Sequence, residues 1–130
     1  MDQRTENFNN EEIAVLNHVL ELLPTMEQGM DYIREKLKEE KPEACIAILG
    51  DLIEAFEGVE ESILPLLNKL EAPGYMKKHD RLKEAFAEMV EEYENNQGAE
   101  AHALMEDSLY PAFIQWKEEL EENLRPLTAS

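Results

Sequence analysis

Residues 45–70 read CIAILGDLIEAFEGVEESILPLLNKL, and this stretch decides the fold class. Apolar residues recur in it at alternating steps of four and three, which is the spacing of one face of an α-helix. Ile46, Ile53 and Leu67 widen this stripe on one flank, and glutamates occupy positions away from it. The pattern predicts a long helix that buries the stripe against other helices. The residues of the stripe itself are Cys45, Leu49, Leu52, Phe56, Val59, Ile63, Leu66 and Leu70.

Helical patterns precede this stretch as well. Asn9 and Glu12 have the spacing of a capping box, which predicts a helix that begins near residue 10. Pro24 is expected to end or kink that helix, because proline lacks the backbone N–H that a helix interior requires. A second helix start then follows at once, so that residues 25–72 form a helical hairpin in which Pro65 bends the second arm.

Two further helices are expected after the turn Ala72-Pro73-Gly74. The first of them begins near Tyr75 and stops at Gly98, which suits a left-handed C-terminal cap. The next begins near Ala99, and its stripe shifts at Pro111, which predicts a kink there. The sequence therefore predicts an all-α, single-domain antiparallel bundle of four to five helices, some kinked at proline. We expect a flexible tail over residues 1–9 and the bundle over residues 10–126.

Charge narrows the range of partners. The chain has 12 Lys and Arg against 30 Asp and Glu, a formal net charge of −18. Such a surface repels phosphate backbones and anionic lipid, so we expect neither nucleic acid nor membrane as a partner. The single cysteine, Cys45, allows no internal disulfide, and the sequence carries no signal peptide or apolar span, so a cytoplasmic location is expected.

The residues that could carry chemistry do not form a recognisable motif. A metal site built from His18, His79 and His102 is a further hypothesis, although the sequence contains no Glu-x-x-His pair of the kind that bundle metalloproteins use. Adjacent glutamates point about 100° apart on a helix, so we expect solvated faces rather than convergent acids. The pairs concerned are Glu60-Glu61, Glu91-Glu92, Glu118-Glu119 and Glu121-Glu122. No enzyme activity and no cofactor are expected.

Two surface features are candidates for binding. Lys77, Lys78, Arg81 and Lys83 form a cationic cluster in an acidic chain, and they could clamp neighbouring acidic helices or dock an acidic segment or anion. A second set of residues is soft or aromatic, and it could line an adaptable apolar groove or simply fill the core. This set comprises Met26, Met30, Tyr75, Met105, Tyr110 and Trp116.

Taken together, these features favour a non-catalytic protein–protein interaction module, an adaptor or a small chaperone-like bundle. Its partner would be an amphipathic helix or a basic segment that packs into an apolar groove with an acidic rim. The main alternative is a self-associating structural protein, since a long apolar seam could also serve a homodimer.

Overall fold

The computed structural model describes residues 7–128, and every regular element in that range is helical. Short 3₁₀ turns at Pro42–Cys45 and Leu64–Leu66 and a π-helical turn at Met105–Leu109 connect or extend the α-helices. The α-helices are α1 (Asn10–Lys38), α2 (Ile46–Ile63), α3 (Leu67–Leu70), α4 (Tyr75–Asn96), α5 (Ala101–Leu104) and α6 (Tyr110–Thr128). The prediction of an all-α fold is confirmed.

The four long helices run up and down as an antiparallel bundle. α2 packs on α1, α1 packs on α6, and α6 packs on α4. The ion pairs Arg34–Glu106 and Lys117–Glu27 join α1 to the segment 105–128 in opposite chain directions, as an antiparallel pair requires. Among residues 7–128, no helix is both long enough and apolar enough to cross a bilayer.

The predicted stripe of residues 45–70 forms the centre of the core. All eight of its members are buried, although Pro65 lies in a 3₁₀ turn that interrupts the α-helix between α2 and α3. The side chain of Trp116 is wholly buried, and its Nε1 donates a hydrogen bond of 3.3 Å to the hydroxyl of Tyr75. The aromatic rings thus link α4 and α6 inside the bundle.

The N-terminal capping box is present as predicted. Glu12 N donates to Asn9 Oδ1 at 2.8 Å, and Asn9 N donates to Glu12 Oε1 at 3.0 Å. Phe8, which lay in the predicted flexible tail, is 6% exposed and packs against the core. The folded part therefore begins before residue 10, and residues 1–6 of the predicted tail lie outside the described residues.

Pro24 does not end the first helix, so the predicted second helix start at Thr25 is wrong. α1 runs through Pro24 because Leu23 and Met26, on either side of it, are both buried in the core and hold the helix in place. Pro111 has a different effect. The π-helical turn Met105–Leu109 precedes it, and the wider turn keeps Met105 and Leu109 on the buried face.

α2 and α4 are the one pair of neighbouring long helices, within residues 7–128, that stay apart along most of their length. Phe56 of α2 reaches His79 and Phe86 of α4, with ring centroids 5.1 and 5.5 Å apart. Beyond that contact the backbones leave a groove between the two helices. The bundle is therefore closed on three sides and open on the fourth.

Candidate functional site

The open side of the bundle forms a groove of about 830 Å³ between α2 and α4. Its floor is apolar because Ile53 of α2 and Val90 of α4 line it, together with the largely buried rings of Phe56 and Phe86. The groove is open to solvent along its length, so it suits a rod-shaped ligand better than a small molecule that must be enclosed. We refer to this feature as the α2–α4 groove.

The α2–α4 groove continues towards the N-terminus of α2. A further 290 Å³ lies over Ile46, Leu49 and Gly50 of α2 and Tyr93 of α4, and it shares Ile53 with the larger part. Ile46 is 57% exposed, which is a large fraction for an isoleucine in a folded domain. The groove therefore extends along about 21 Å of α2, from residue 46 to residue 60 at 1.5 Å per residue, and Ile46 is the most exposed apolar side chain along it.

The rim of the α2–α4 groove is acidic. Glu57 of α2 and Glu91 and Glu94 of α4 are exposed, and none of them has an ion-pair partner among residues 7–128. Their charges are not neutralised locally, so they create a negative potential along both edges. A ligand that fits this site would combine an apolar face with positive charge on its flanks.

A charged network closes the opposite end of the groove. His79 is 3% exposed, and its Nε2 lies 2.5 Å from Glu60 Oε2 while its Nδ1 lies 2.9 Å from Asp80 Oδ1. Lys83 Nζ lies 3.6 Å from the same Glu60 oxygen. Both ring nitrogens are thus occupied, and the network ties the end of α2 to the start of α4.

The comparisons with known proteins bear on the chain as a whole. A family model described as "Domain of unknown function (DUF8042)" matches residues 14–119, which are 106 of the 130 residues. The chain belongs to the DUF8042 family. The match spans α2 and α4 entirely, so both walls of the groove belong to the DUF8042 domain. No curated protein and no solved structure matches the chain.

The apolar groove predicted from the sequence is in the wrong place. Five of its six residues are buried in the core of the DUF8042 domain, because they lie on the seams where the helices meet: Met26, Met30, Tyr75, Met105 and Trp116. Burial also raises the pKa of the Tyr75 hydroxyl to about 12. The sixth residue, Tyr110, is partly buried beneath Arg34, whose guanidinium lies 3.8 Å from the ring centroid.

The predicted cationic cluster is largely held by its neighbours. Lys78 Nζ lies 2.9 Å from Glu119 of α6, and this hydrogen bond raises the pKa of Lys78. Lys83 pairs with Glu60, and Arg81 reaches only Gln115 of α6, at 3.4 Å. The clamp between helices is therefore confirmed for Lys78 and Lys83. Lys77 is exposed and pairs with no acid in residues 7–128, and a docking role for the cluster stays a prediction.

The three histidines do not converge on a metal site. His18 lies on the exposed face of α1, His102 is exposed on α5, and His79 is buried on α4 with both nitrogens engaged. In the part of the chain that the structure describes, no group of three or more His, Cys, Asp or Glu side chains could hold a metal ion. The prediction of a three-histidine metal site is wrong.

The paired glutamates divide their roles, and the prediction of solvated faces is right for only one member of each pair. The members that face neighbouring groups are Glu60, Glu92, Glu119 and Glu121, and the members that stay exposed are Glu61, Glu91, Glu118 and Glu122. Glu92 is only 8% exposed. Its carboxylate accepts the backbone N–H of Glu100 at 2.8 Å and thereby anchors the start of α5.

Sequence reasoning missed the α2–α4 groove, although one signal for it was present. Ile46 and Ile53 widen the α2 stripe on one flank, and both of them line the groove. Flank positions of a helix are buried only when a neighbouring helix comes close. The sequence shows the extra apolar residues but not that α4 stays away from them.

Proposed function

We propose that this protein is a non-catalytic protein–protein interaction module whose α2–α4 groove binds an amphipathic helix of a partner protein. The observation that carries the proposal is an uncovered apolar groove with an acidic rim on the open side of an otherwise closed bundle. Helix-in-groove recognition needs an apolar floor between two helices and a rim that orients the ligand. The partner helix would carry Lys or Arg on the flanks of its apolar face.

The dimensions of the groove support a helical occupant. Its length of about 21 Å along α2 would accommodate about four helical turns. A third long helix laid between α2 and α4 would cover Ile46, Ile53 and Val90 in the way that α1 and α6 cover the rest of the core. The occupant would then complete the missing side of the bundle.

Charge supports a basic partner and disfavours a second copy of this chain. Glu57, Glu91 and Glu94 edge the groove, and the whole chain carries a formal charge of −18. A homodimer through this groove would bring two acidic rims together, whereas Lys and Arg on a partner would neutralise them. The same charge argues against nucleic acid and anionic membranes as occupants.

The lining of the groove supports binding rather than catalysis. Besides aliphatic, aromatic and carboxylate groups, the lining includes Asn95 and Lys83, which pairs with Glu60, and none of the lining residues is a serine, threonine or cysteine nucleophile. Cys45 is buried at the N-terminal end of α2, and burial raises the pKa of its thiol, which lowers its reactivity. A cytoplasmic location belongs to the same proposal, and cell fractionation would test it.

The test uses a synthetic amphipathic peptide of about 18 residues, composed of Leu, Ala and Lys with Leu at helical spacing. A scrambled peptide of equal composition measures attraction due to charge alone. Ile46→Gln replaces an apolar side chain that lines the groove and is 57% exposed. Leu64→Gln is the control, because Leu64 is comparably exposed, at 46%, and does not line the groove. We expect Ile46→Gln to weaken binding about fivefold or more and Leu64→Gln to leave it unchanged.

The acidic rim is tested in a matched way on one helix. Glu91→Lys with Glu94→Lys reverses two rim charges, whereas Glu84→Lys with Glu88→Lys reverses two exposed charges of α4 outside the groove. Both variants change the net charge equally, so long-range attraction falls equally in the two. We expect the rim variant to lose the larger part of the affinity. Equal losses, or equal binding of the scrambled peptide, would refute the proposal.

A further inference from the structure

Gly50 is a glycine inside a helix, in the second turn of α2. It is exposed on α2, and a Cβ built on it would meet no atom within 4 Å, so nothing in the described fold requires glycine there. Glycine inside a helix lowers the equilibrium constant for folding about two- to fivefold relative to alanine. The residue therefore weakens α2 and gives the free molecule no packing advantage.

The surroundings of Gly50 have the geometry of a socket for a helix. Ile46, Leu49, Gly50 and Ile53 line the 290 Å³ part of the α2–α4 groove, and they stand at positions i, i+3, i+4 and i+7 of α2. Four residues in this relation form the hole that receives one side chain of a facing helix in knobs-into-holes packing. The missing side chain of Gly50 deepens the hole on its solvent side.

We propose that the hole around Gly50 receives a large apolar anchor residue, such as Leu, Met or Phe, from the partner helix. This inference rests on the proposed function and adds to it the place of the anchor and the reason for the glycine. The wall opposite the hole is apolar as well, because Val90 and the ring of Tyr93 line it. Tyr93 is fixed there by a hydrogen bond of 2.8 Å from its hydroxyl to the carbonyl oxygen of Pro42.

The chain supplies a matched control in Gly58. It is also an exposed glycine within α2, its Cβ would also meet nothing within 4 Å, and it does not line the groove. Alanine at either position should raise the equilibrium constant for folding by a similar factor of about two to five. Only alanine at position 50 would partly fill the hole.

The experiment measures thermal unfolding and binding of the amphipathic Leu/Ala/Lys peptide for wild type, Gly50→Ala, Gly50→Leu, Gly58→Ala and Gly58→Leu. We expect all four variants to be at least as stable as wild type. We expect Gly50→Ala to weaken binding about fivefold and Gly50→Leu more than about tenfold, because overpacking a tight contact is unfavourable. The two position 58 variants should bind like wild type.

Truncating each Leu of the peptide in turn to Ala then locates the anchor. One truncation should weaken binding to wild type strongly and binding to Gly50→Leu little, because the hole is already filled. If the Gly50 and Gly58 variants bind the peptide equally well, the anchor hole is refuted while the groove proposal stands. If wild type binds the periodic and the scrambled peptide equally, both proposals fall.

Discussion

Arg34 of α1 makes a bidentate contact with a residue of a neighbouring segment. Its Nε and Nη2 donate to the two carboxylate oxygens of Glu106 at 2.9 and 3.1 Å, and its guanidinium covers the ring of Tyr110. The π-helical turn Met105–Leu109 carries Glu106 and leads directly to Tyr110. A bidentate hydrogen-bonded pair between an arginine and a carboxylate is among the stronger polar contacts in proteins. It joins α1 to the most irregular segment of the bundle.

This pair gives a pH dependence of known sign. The hydrogen bond from Arg34 lowers the pKa of Glu106 in the folded state. A carboxyl whose pKa is lower in the folded than in the unfolded chain stabilises the fold when the pH is above its unfolded-state pKa. That contribution is lost as the pH falls through its folded-state pKa. Arg34 and Glu106 are each about one third exposed, so solvent weakens their ion pair. We therefore expect Glu106→Gln to lower the free energy of unfolding by only about 0.5–1 kcal/mol at about pH 7.

The effect of the same substitution should be smaller at about pH 3 than at about pH 7, because protonation of Glu106 in wild type removes the same charge as the pH falls through its lowered folded-state pKa. Chemical denaturation at the two pH values measures both differences. Glu88→Gln is the control, because it removes an equal charge from an exposed residue without an ion pair in the described part of the chain. An effect of Glu106→Gln that is the same at both pH values would show that the loss is one of packing.

At the scale of the element, α1 contains a proline that opposes its own helix. Pro24 has no N–H for the carbonyl of Leu20, four residues earlier, yet α1 continues to Lys38. Packing of Leu23 and Met26 thus outweighs the local penalty. We expect Pro24→Ala to raise the free energy of unfolding by about 1–3 kcal/mol, since the missing hydrogen bond can form.

Denaturant unfolding followed by circular dichroism measures this gain. Pro73→Ala is the matched control, because Pro73 lies in the turn before α4, where no helical hydrogen bond is missing. The free energy of unfolding of that variant should be unchanged or lower by up to about 1 kcal/mol, because alanine gives the unfolded chain more conformational entropy than proline does. Should Pro24→Ala unfold more easily than wild type, the bend that proline imposes on α1 would be a requirement of its packing.

The elements also show what a sequence can and cannot specify. The stripe from Cys45 to Leu70 is a local pattern, and all of its members are buried. Proline effects are less predictable, because they depend on how strongly the flanking residues are held by tertiary contacts. Met30 and Trp116 suit an adaptable groove as well as a core, and only the positions of the neighbouring helices decide between them.

The site was less predictable than the fold for the same reason. The groove exists because α2 and α4 stay apart, which no local pattern encodes. Its rim consists of ordinary exposed glutamates, and its end is closed by a contact between Glu60 and His79, nineteen residues apart. Only the extra isoleucines on the flank of α2 indicated that this face differed from the others.

At the scale of the whole molecule, acidity has two opposing effects. The 12 Lys and Arg can neutralise at most 12 of the 30 acidic side chains, so repulsion among the remainder acts against the compact state. Exposed ion pairs such as Lys69–Glu12 contribute little and lose little when salt is added. The same surplus of negative charge attracts a basic ligand to the groove from a distance.

Salt should therefore move stability and binding in opposite directions. From about 10 to about 200 mM NaCl, screening weakens both the repulsion within the fold and the attraction to the Leu/Ala/Lys peptide. We expect the unfolding temperature to rise and the affinity for the peptide to fall over this range. The variant Glu84→Lys with Glu88→Lys, at a formal charge of −14 instead of −18 after two changes from −1 to +1, should show a smaller rise. If the unfolding temperature falls steadily instead, attractive ion pairs outweigh the repulsion. The acidity would then serve the fold itself, and a role for it in binding would rest on the rim residues alone.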